Sequence, residues 1–204
     1  MTRNASGIHV AARGLSVRPP ATRDEIVAEI GRLAAEVERI AATFDTAAFF
    51  APQYEDGTAR WSPAQQVRHL TKSTYPLARA FAMPRSALLL RFGIALRRRS
   101  TYADLVGKYE RLLEDRPQAG RFAPDADVNG DEGRRAEIMT RFRDAVSRLC
   151  AAVGDWSERA LDRHRLPHPL LGKLTTREML WFTVFHTAHH GGQMERRRTH
   201  VAAP

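Results

Sequence analysis

Three histidines lie close together near the C-terminal end of the sequence, in the stretch "FHTAHHGGQM". Each residue of an α-helix advances by about 100°, so His186 and His190 lie about 40° apart on one face. Two imidazoles on one helical face can converge on a single metal ion. His189 lies about 60° from His186 on the other side, so we expect it to lie on the surface or behind the metal ligands.

Two histidines make only half of a site, because zinc and similar ions need a third protein ligand. His69 is the best third candidate, since it lies in a second helical pattern at the margin of an apolar stripe. The competing interpretation is a core histidine that is held by hydrogen bonds. The remaining histidines lie in terminal segments or in a proline-rich connection and are weaker candidates: His9, His164, His168 and His200.

Two further side chains have both a functional and a structural interpretation. Gln193 lies one turn after His190 on the same face, where its amide could orient a metal ligand or a bound water. It could equally be a polar residue near the end of the helical bundle. For Trp61, we favour a packing role at the start of a helix over stacking against a substrate.

The sequence offers no carboxylate that is placed to act as a base beside the histidines. Glu195 points roughly opposite the face of His186 and His190, and Glu178 lies to its side. Thr187 stands where the thermolysin-type motif needs Glu, and no Glu-x-x-His pairs of the di-iron type occur. A metal can deprotonate a coordinating thiol outright, so the missing base favours activation of a thiol over activation of water.

Four long helical patterns position these residues. The first begins near Asp24, with Thr22 or Asp24 as its cap. In the second, Ser62 occupies the N-cap position, followed by Pro63 at the first helical position and Gln65 three residues after the cap. The first pattern repeats apolar residues at spacings of three and four: Ile26, Ile30, Leu33, Val37, Ile40 and Phe44.

The third pattern runs from about Asp131 to Arg159, and the fourth follows a capping box of Thr175 and Glu178. These patterns predict an all-α four-helix bundle, because strand-like alternation is almost absent. Segment 84–130 is extra and predicts two shorter helices, "SALLLRFGIALRRR" and "YADLVGKYERLLE", followed by a long loop. A connection of this length means that the second and third long helices need not be simple antiparallel neighbours.

Length and composition set the outer limits of function. The 204 residues predict one domain over 21–204, after a disordered or extended tail over 1–20. The sequence contains no apolar run of the roughly 20 residues that span a bilayer. A single cysteine, Cys150, suits a reducing compartment and predicts a cytoplasmic protein with a buried thiol.

The net charge of +9, from 32 basic and 23 acidic residues, raises the question of nucleic-acid binding. The basic residues are almost all arginine and are scattered, apart from "RRR" at 97–99 and at 196–198. Aromatic residues do not alternate with them as in single-strand binders. These patterns argue against nucleic acid as the partner.

Two stretches of the sequence resemble the DinB-like (DinB/YfiT-like) metal-binding four-helix bundles. "RWSPAQQVRHL" is similar to the opening of that family's second helix, Trp-Ser-x-x-x-x-x-x-His-Leu. "LPHPLLGKLTTREMLWFTVFHTAHHGGQM" is similar to its last helix, where Pro-x-x-Gly-x-x-Thr-x-x-Glu leads into His-x-x-x-His-x-x-Gln. The chain from about 22 to 200 is compatible with the family.

The resemblance implies that His69, His186 and His190 hold one divalent ion, with nickel or zinc favoured over iron or manganese. It also implies a homodimer and, in some members, a low-molecular-weight thiol as cosubstrate. Gly191 departs from the Arg that is frequent in relatives at that position, which leaves the substrate open.

Two functional hypotheses follow. The first is a cytoplasmic metal-dependent enzyme, a thiol-dependent transferase or a hydrolase, that acts on a small molecule. The second is a non-catalytic basic helical module that binds nucleic acid or an acidic partner through "LRRRS" and "ERRRT".

Overall fold

The four predicted long helices form the bundle in the computed structural model, which describes residues 9–10, 14–55, 57–96, 100–114, 120–124 and 130–201. Shorter helices and three strand pairs surround the bundle. In chain order the helices are α1 (Arg23–Ala42), α2 (Thr46–Phe50), α3 (Pro63–Phe81), α4 (Arg85–Phe92), α5 (Tyr102–Glu114), α6 (Glu132–Gly154), α7 (Glu158–Arg163) and α8 (Thr176–Val201). The strands are β1 (His9–Val10), β2 (Ser16–Val17), β3 (Gln53–Glu55), β4 (Thr58–Arg60), β5 (Arg165–His168) and β6 (Gly172–Thr175).

Reciprocal capping boxes begin three of the long helices. Such boxes satisfy backbone N–H groups that have no partner within the helix. The sequence predicted the second and third of them, and it offered Thr22 as one of two caps for the first. The pairs are Thr22 with Glu25 before α1, Ser62 with Gln65 before α3, and Thr175 with Glu178 at the start of α8.

Helices α3 and α6, which are consecutive long helices, run parallel to each other. Tyr75 of α3 donates a hydrogen bond to Asp144 of α6. Further along the chain, Phe81 at the end of α3 packs against Trp156 just beyond α6, with 4.9 Å between ring centroids. A parallel pair requires a connection that returns to the starting end of the bundle, and segment 84–130 is long enough to do this. The sequence had left this arrangement open, because a connection of that length need not join antiparallel neighbours.

The other two helices complete the topology. Arg135, near the start of α6, donates to the carbonyl of Ala41 at the end of α1, and Arg23 at the start of α1 donates to Gly154 at the end of α6. Helices α1 and α6 are therefore antiparallel. Since α3 and α8 are also antiparallel, as the metal-site contacts below show, the order of directions is up-down-down-up.

Two predicted helices end earlier than expected. The third long helix ends at Gly154 and not at Arg159, because Ser157 caps a separate short helix, α7. Trp156 still belongs to the core, where its indole N–H donates to Phe81 over 3.0 Å. The helix predicted through residue 99 ends at Phe92, since Gly93 adopts a positive φ of 75° that stops the helix. Residues 97–99 lie outside the described residues.

Three short antiparallel strand pairs, which the sequence pattern did not indicate, accompany the helices of the bundle. The pair β5–β6 joins α7 to α8 and turns at Gly172, whose φ is 75°. Strands of two to four residues are too short to show a convincing alternation of apolar and polar side chains. The hairpin matters for function, because it brings His168 to the wall of the cavity that is described below.

The described part of the predicted tail packs against α8. The N–H of Leu15 donates to the carbonyl of Ala188 over 2.9 Å, and the indole N–H of Trp181 donates to Pro20 over 2.8 Å. A Cβ at Gly191 would lie 2.6 Å from Leu15 Cδ1, so the glycine leaves the room that this segment occupies. Residues 1–8 and 11–13 lie outside the described residues.

The start of α8 is held by an ion-pair cluster around Arg177, which is 1 % exposed, while its acidic partners reach the surface. Its guanidinium pairs with Asp162 and Glu158 and also donates to the carbonyl of Ala21. These charges raise the pKa of Arg177 against the opposing effect of its burial. The cluster therefore connects the N-terminal segment and α7 to the first turn of α8, the helix that carries His186 and His190 further along.

Among the described helices, none combines the length and apolarity needed to cross a membrane.

Candidate metal centre

The structure brings the three predicted metal ligands together. His69 extends from α3, and His186 and His190 extend from successive turns of α8; all three are buried. The Nε2 atom of His186 lies 3.0 Å from Nε2 of His69 and 3.1 Å from Nε2 of His190. One ligand atom of each residue lies within 4.8 Å of the other two. Since Gln66 contacts His190 and His69 contacts His186, the helices α3 and α8 run antiparallel at this cluster.

Hydrogen bonds on the far side of two rings determine which nitrogen faces the centre. Nδ1 of His69 donates to the carbonyl of Phe122 over 2.8 Å, and Nδ1 of His190 donates to the side-chain carbonyl of Gln66. The Nε2 atoms of these neutral rings are therefore unprotonated. Nε2 of a neutral His186 carries at most one proton for its two neighbours. A cation among the three nitrogens fits this donor set, because imidazole Nε2 is a common ligand of zinc and nickel.

A chain of side-chain amides supports His190 from behind. Gln66 donates through Nε2 to Oε1 of Gln193 over 2.9 Å, and Gln193 donates to Nε2 of His189 over 2.7 Å. Gln193 therefore acts on the ligand through Gln66. Sequence reasoning missed Gln66, although its position three residues before His69 places it on the same side of α3.

Burial keeps the three imidazoles neutral. Burial is the main cause that lowers the pKa of His69, and the positive charge of the nearby Lys72 lowers it further. Burial also lowers the pKa values of His186 and His190 well below the ordinary value, with added effects from the neighbouring imidazoles. Metal binding requires the neutral ring, so burial prepares the ligands for a cation.

Trp61 lies against the cluster and not only at the start of α3. Its ring centroid is 4.9 Å from that of His69, and it stacks on His190 at 6.0 Å and 16°. On the other side, Phe182 stacks on His186 at 5.0 Å and 22°. The packing role expected for Trp61 therefore includes shielding two histidines from water.

A cavity of about 770 Å³ opens beside the histidines. Its wall comes from α3, α4, α5, α8 and the β5–β6 hairpin, so the extra segment between the second and third long helices forms part of the site. The described residues that line it include His189, Ser73 and Thr183, and none of them is acidic. Glu178, which is fully buried, accepts instead from the N–H groups of Ser100 and Thr175.

His168, a weaker candidate in the sequence, also lines this cavity. Its Nδ1 accepts from the backbone N–H groups of Leu170 and Leu171 at 3.2 and 3.0 Å. The neutral ring therefore carries its proton on Nε2 and is a hydrogen-bond donor. Its ring centroid lies 4.3 Å from that of Phe182, which in turn stacks on His186. Burial lowers the pKa of His168 to about 4, so this donor stays neutral at pH 7.

Cys150 lies outside the cavity wall and is partly buried. Burial raises the pKa of its thiol, which opposes formation of a reactive thiolate. The predicted structural role for this cysteine agrees with its place against the hydrophobic core.

The sequence pattern of the DinB superfamily matches residues 32–194. Two solved structures share the fold. YfiT from Bacillus subtilis, described as a probable metal-dependent hydrolase with an unusual four-helix bundle topology, is 15 % identical with a TM-score of 0.58, over 89 % of each chain. The colibactin self-resistance protein ClbS, solved in complex with double-stranded DNA, is 16 % identical with a TM-score of 0.51, over 87 % of this chain and 95 % of that chain. A search of curated proteins finds no match to this sequence.

The hydrogen bonds from His190 to Gln66 and from Gln66 to Gln193 predict that Gln66 affects metal affinity more than Gln193 does. Substituting Gln66→Leu removes the acceptor that holds His190, so we expect zinc or nickel to bind about 10- to 100-fold more weakly. Gln193→Leu should have a smaller effect, because Gln193 touches Gln66 and not the ligand. Competition titration with a chromophoric chelator measures both affinities. An equal loss in the two variants would contradict the order.

His168 predicts a pH dependence of stability. Its folded-state pKa of about 4 lies below the ordinary value of 6.5, so the unfolded chain binds the extra proton first. The contribution of neutral His168 to stability is therefore complete above pH 6.5 and is lost as the pH falls toward 4. At pH 5 the loss should be about 2 kcal/mol.

His168→Asn is the matched variant, because the Asn side-chain carbonyl can still accept from Leu170 and Leu171 but does not titrate. Urea unfolding with EDTA present, at pH 7.5 and pH 5, measures the free energy of unfolding. The wild type should lose about 2 kcal/mol more than the variant over this range. Equal losses would show that His168 is not responsible.

Proposed function

This chain belongs to the DinB superfamily, and we propose that it is an enzyme that acts on a small molecule with a divalent metal ion held by His69, His186 and His190. The observation that supports this proposal is the convergence of three buried Nε2 atoms, two of which are left unprotonated by hydrogen bonds on the opposite ring nitrogen. The description of YfiT as a probable metal-dependent hydrolase supports the same class. The all-imidazole donor set favours nickel or zinc.

Thiol transfer is the reaction that the site supports best, with hydrolysis as the alternative. A bound divalent ion lowers the pKa of a thiol or a water molecule that coordinates it. Water then needs a base to accept further protons, and the described cavity wall offers no carboxylate. His168 is a poor base, because its Nδ1 already accepts two backbone hydrogen bonds. A low-molecular-weight thiol, which ionises more readily than water, is therefore the favoured nucleophile.

The chain itself supplies orientation, exclusion of water and one hydrogen-bond donor. Gln66 and the carbonyl of Phe122 hold two of the histidine rings by their Nδ1 atoms. Trp61 and Phe182 cover the histidine rings with apolar surface. His168 offers its Nε2–H to a polar atom of the electrophile, and its two backbone hydrogen bonds hold the ring in place.

The metal site has a direct test. His190→Ala should lose the ion that the purified wild type carries at about one per chain. His189→Ala is the matched control, since His189 is the neighbouring residue on the same helix but is not among the converging ligands. Elemental analysis of the three proteins measures the metal content. A wild type that stays metal-free after refilling with nickel or zinc would overturn the proposal.

A basic interaction module is the second candidate function, and the net charge of +9 together with the DNA complex of ClbS is the reason to test it. Arg197 of the "ERRRT" run is poorly placed to bind phosphates, because it is only 8 % exposed and burial lowers its pKa. Residues 97–99 of the other run lie outside the described residues.

An enzyme with this site should show little retention on duplex DNA at any salt concentration. The measurement is binding of the wild type to a labelled duplex between about 50 and 200 mM salt, a range over which a protein with 6–10 phosphate contacts loses about 10³–10⁵ in affinity. A steep decline of that kind, unchanged in His190→Ala, would favour the module. The homodimer and the cytoplasmic location that the sequence suggested stay predictions.

A further inference from the structure

We infer that the cavity beside the histidines binds an organic acid with an apolar body, whose acidic group is held at the cavity mouth by Arg79 and Arg91. This inference rests on the proposed function, since it names the class of small molecule that the site would accept. Both arginines line the cavity and are exposed, as expected for residues at its opening.

Two arginines give the cavity wall positive charge. Arg79 and Arg91 carry permanent positive charge, and within the described residues neither has a carboxylate partner. Elsewhere on the long helices, arginines pair with acids: Arg32 lies 2.7 Å from Glu29, and Arg148 lies 2.8 Å from Asp144. Since none of the described lining residues is acidic, the two cavity arginines make the opening positive. A cleft of one sign attracts ligands of the opposite sign.

Arg79 lies far from the histidines along the bundle. Arg79 follows His69 by ten residues in the same helix, α3, so their Cα atoms lie about 15 Å apart along its axis. The charged end of the cavity is therefore distinct from the end that holds the histidines. A ligand that reaches both ends carries its acidic group away from the atoms that react.

The rest of the cavity wall is largely apolar. An apolar wall with a few polar groups binds the apolar body of a ligand and uses the polar groups to orient it. Guanidinium groups bind carboxylates with two parallel hydrogen bonds, which makes a carboxylate the best-fitting acid. The apolar lining includes Leu77, Phe92, Leu113, Leu166, Met179 and Phe182.

Octanoate and octanamide are the matched probes, because they share an apolar chain and differ in charge. Calorimetric titration of the zinc-loaded protein should show octanoate binding about tenfold more tightly or better, the range expected for charge-assisted hydrogen bonds. The double variant Arg79→Gln/Arg91→Gln should lose most of this preference and keep its affinity for octanamide. Both arginines are exposed, so the substitutions should leave the fold intact.

Arg159→Gln is the control, since Arg159 is an exposed arginine on α7 that does not line the cavity. Its preference for octanoate should equal that of the wild type. Equal binding of the two probes by the wild type, or binding of neither, would overturn the inference.

A preference for octanoate that survives in the double arginine variant but disappears with EDTA would also overturn it, because the carboxylate would then bind at the histidine end. Elemental analysis of the same samples separates this inference from the proposed function. Stoichiometric zinc without a preference that depends on the two arginines would reject only the organic acid. Protein that takes up no zinc would reject the metal-dependent enzyme.

Discussion

Nitrogen atoms with facing lone pairs repel at 3.0 Å unless a proton or a cation lies between them, and His186 stands at about that distance from both His69 and His190. Protonation does not remove the repulsion, because burial lowers the pKa of each ring and disfavours the charged imidazolium. Hydrogen bonds from Nδ1 then direct the unprotonated Nε2 atoms of two rings to one point. The surrounding structure holds the three rings close together, and a bound divalent ion would remove the repulsion between their nitrogen lone pairs.

The topology of the bundle serves this arrangement. Helices α3 and α8 cross antiparallel at the histidines, while α3 and α6 run parallel, so a long connection must return along the bundle between them. That connection contributes the carbonyl of Phe122 behind His69 and the walls of the cavity from α4 and α5. The long connection that the parallel pair requires therefore also forms part of the candidate site.

The cavity separates two kinds of chemistry along its length. Near the histidines, aromatic rings exclude water and His168 offers a neutral donor whose orientation is held by the backbone of the β5–β6 turn. Near its mouth, Arg79 and Arg91 supply positive charge without acidic partners among the described residues. A small molecule with an apolar body and an acidic group far from its reacting atoms fits both ends.

The amino-acid sequence by itself indicated the four long helices and the candidate ligands His69, His186 and His190. Apolar spacing and capping residues identified the four long helices, and the spacing of His186 and His190 placed both rings on one face, because these features depend only on local geometry. The early helix ends at Phe92 and Gly154 and the short strand pairs went unrecognised, since their local patterns are weak. Only the tertiary structure decided that His69 meets the pair, that Gln66 connects His190 to Gln193, and that His168 faces the cavity. These contacts join residues 59 to 127 positions apart, from Tyr109 with His168 to Gln66 with Gln193. Spacing along one helix carries no information about which residues of another helix it will meet.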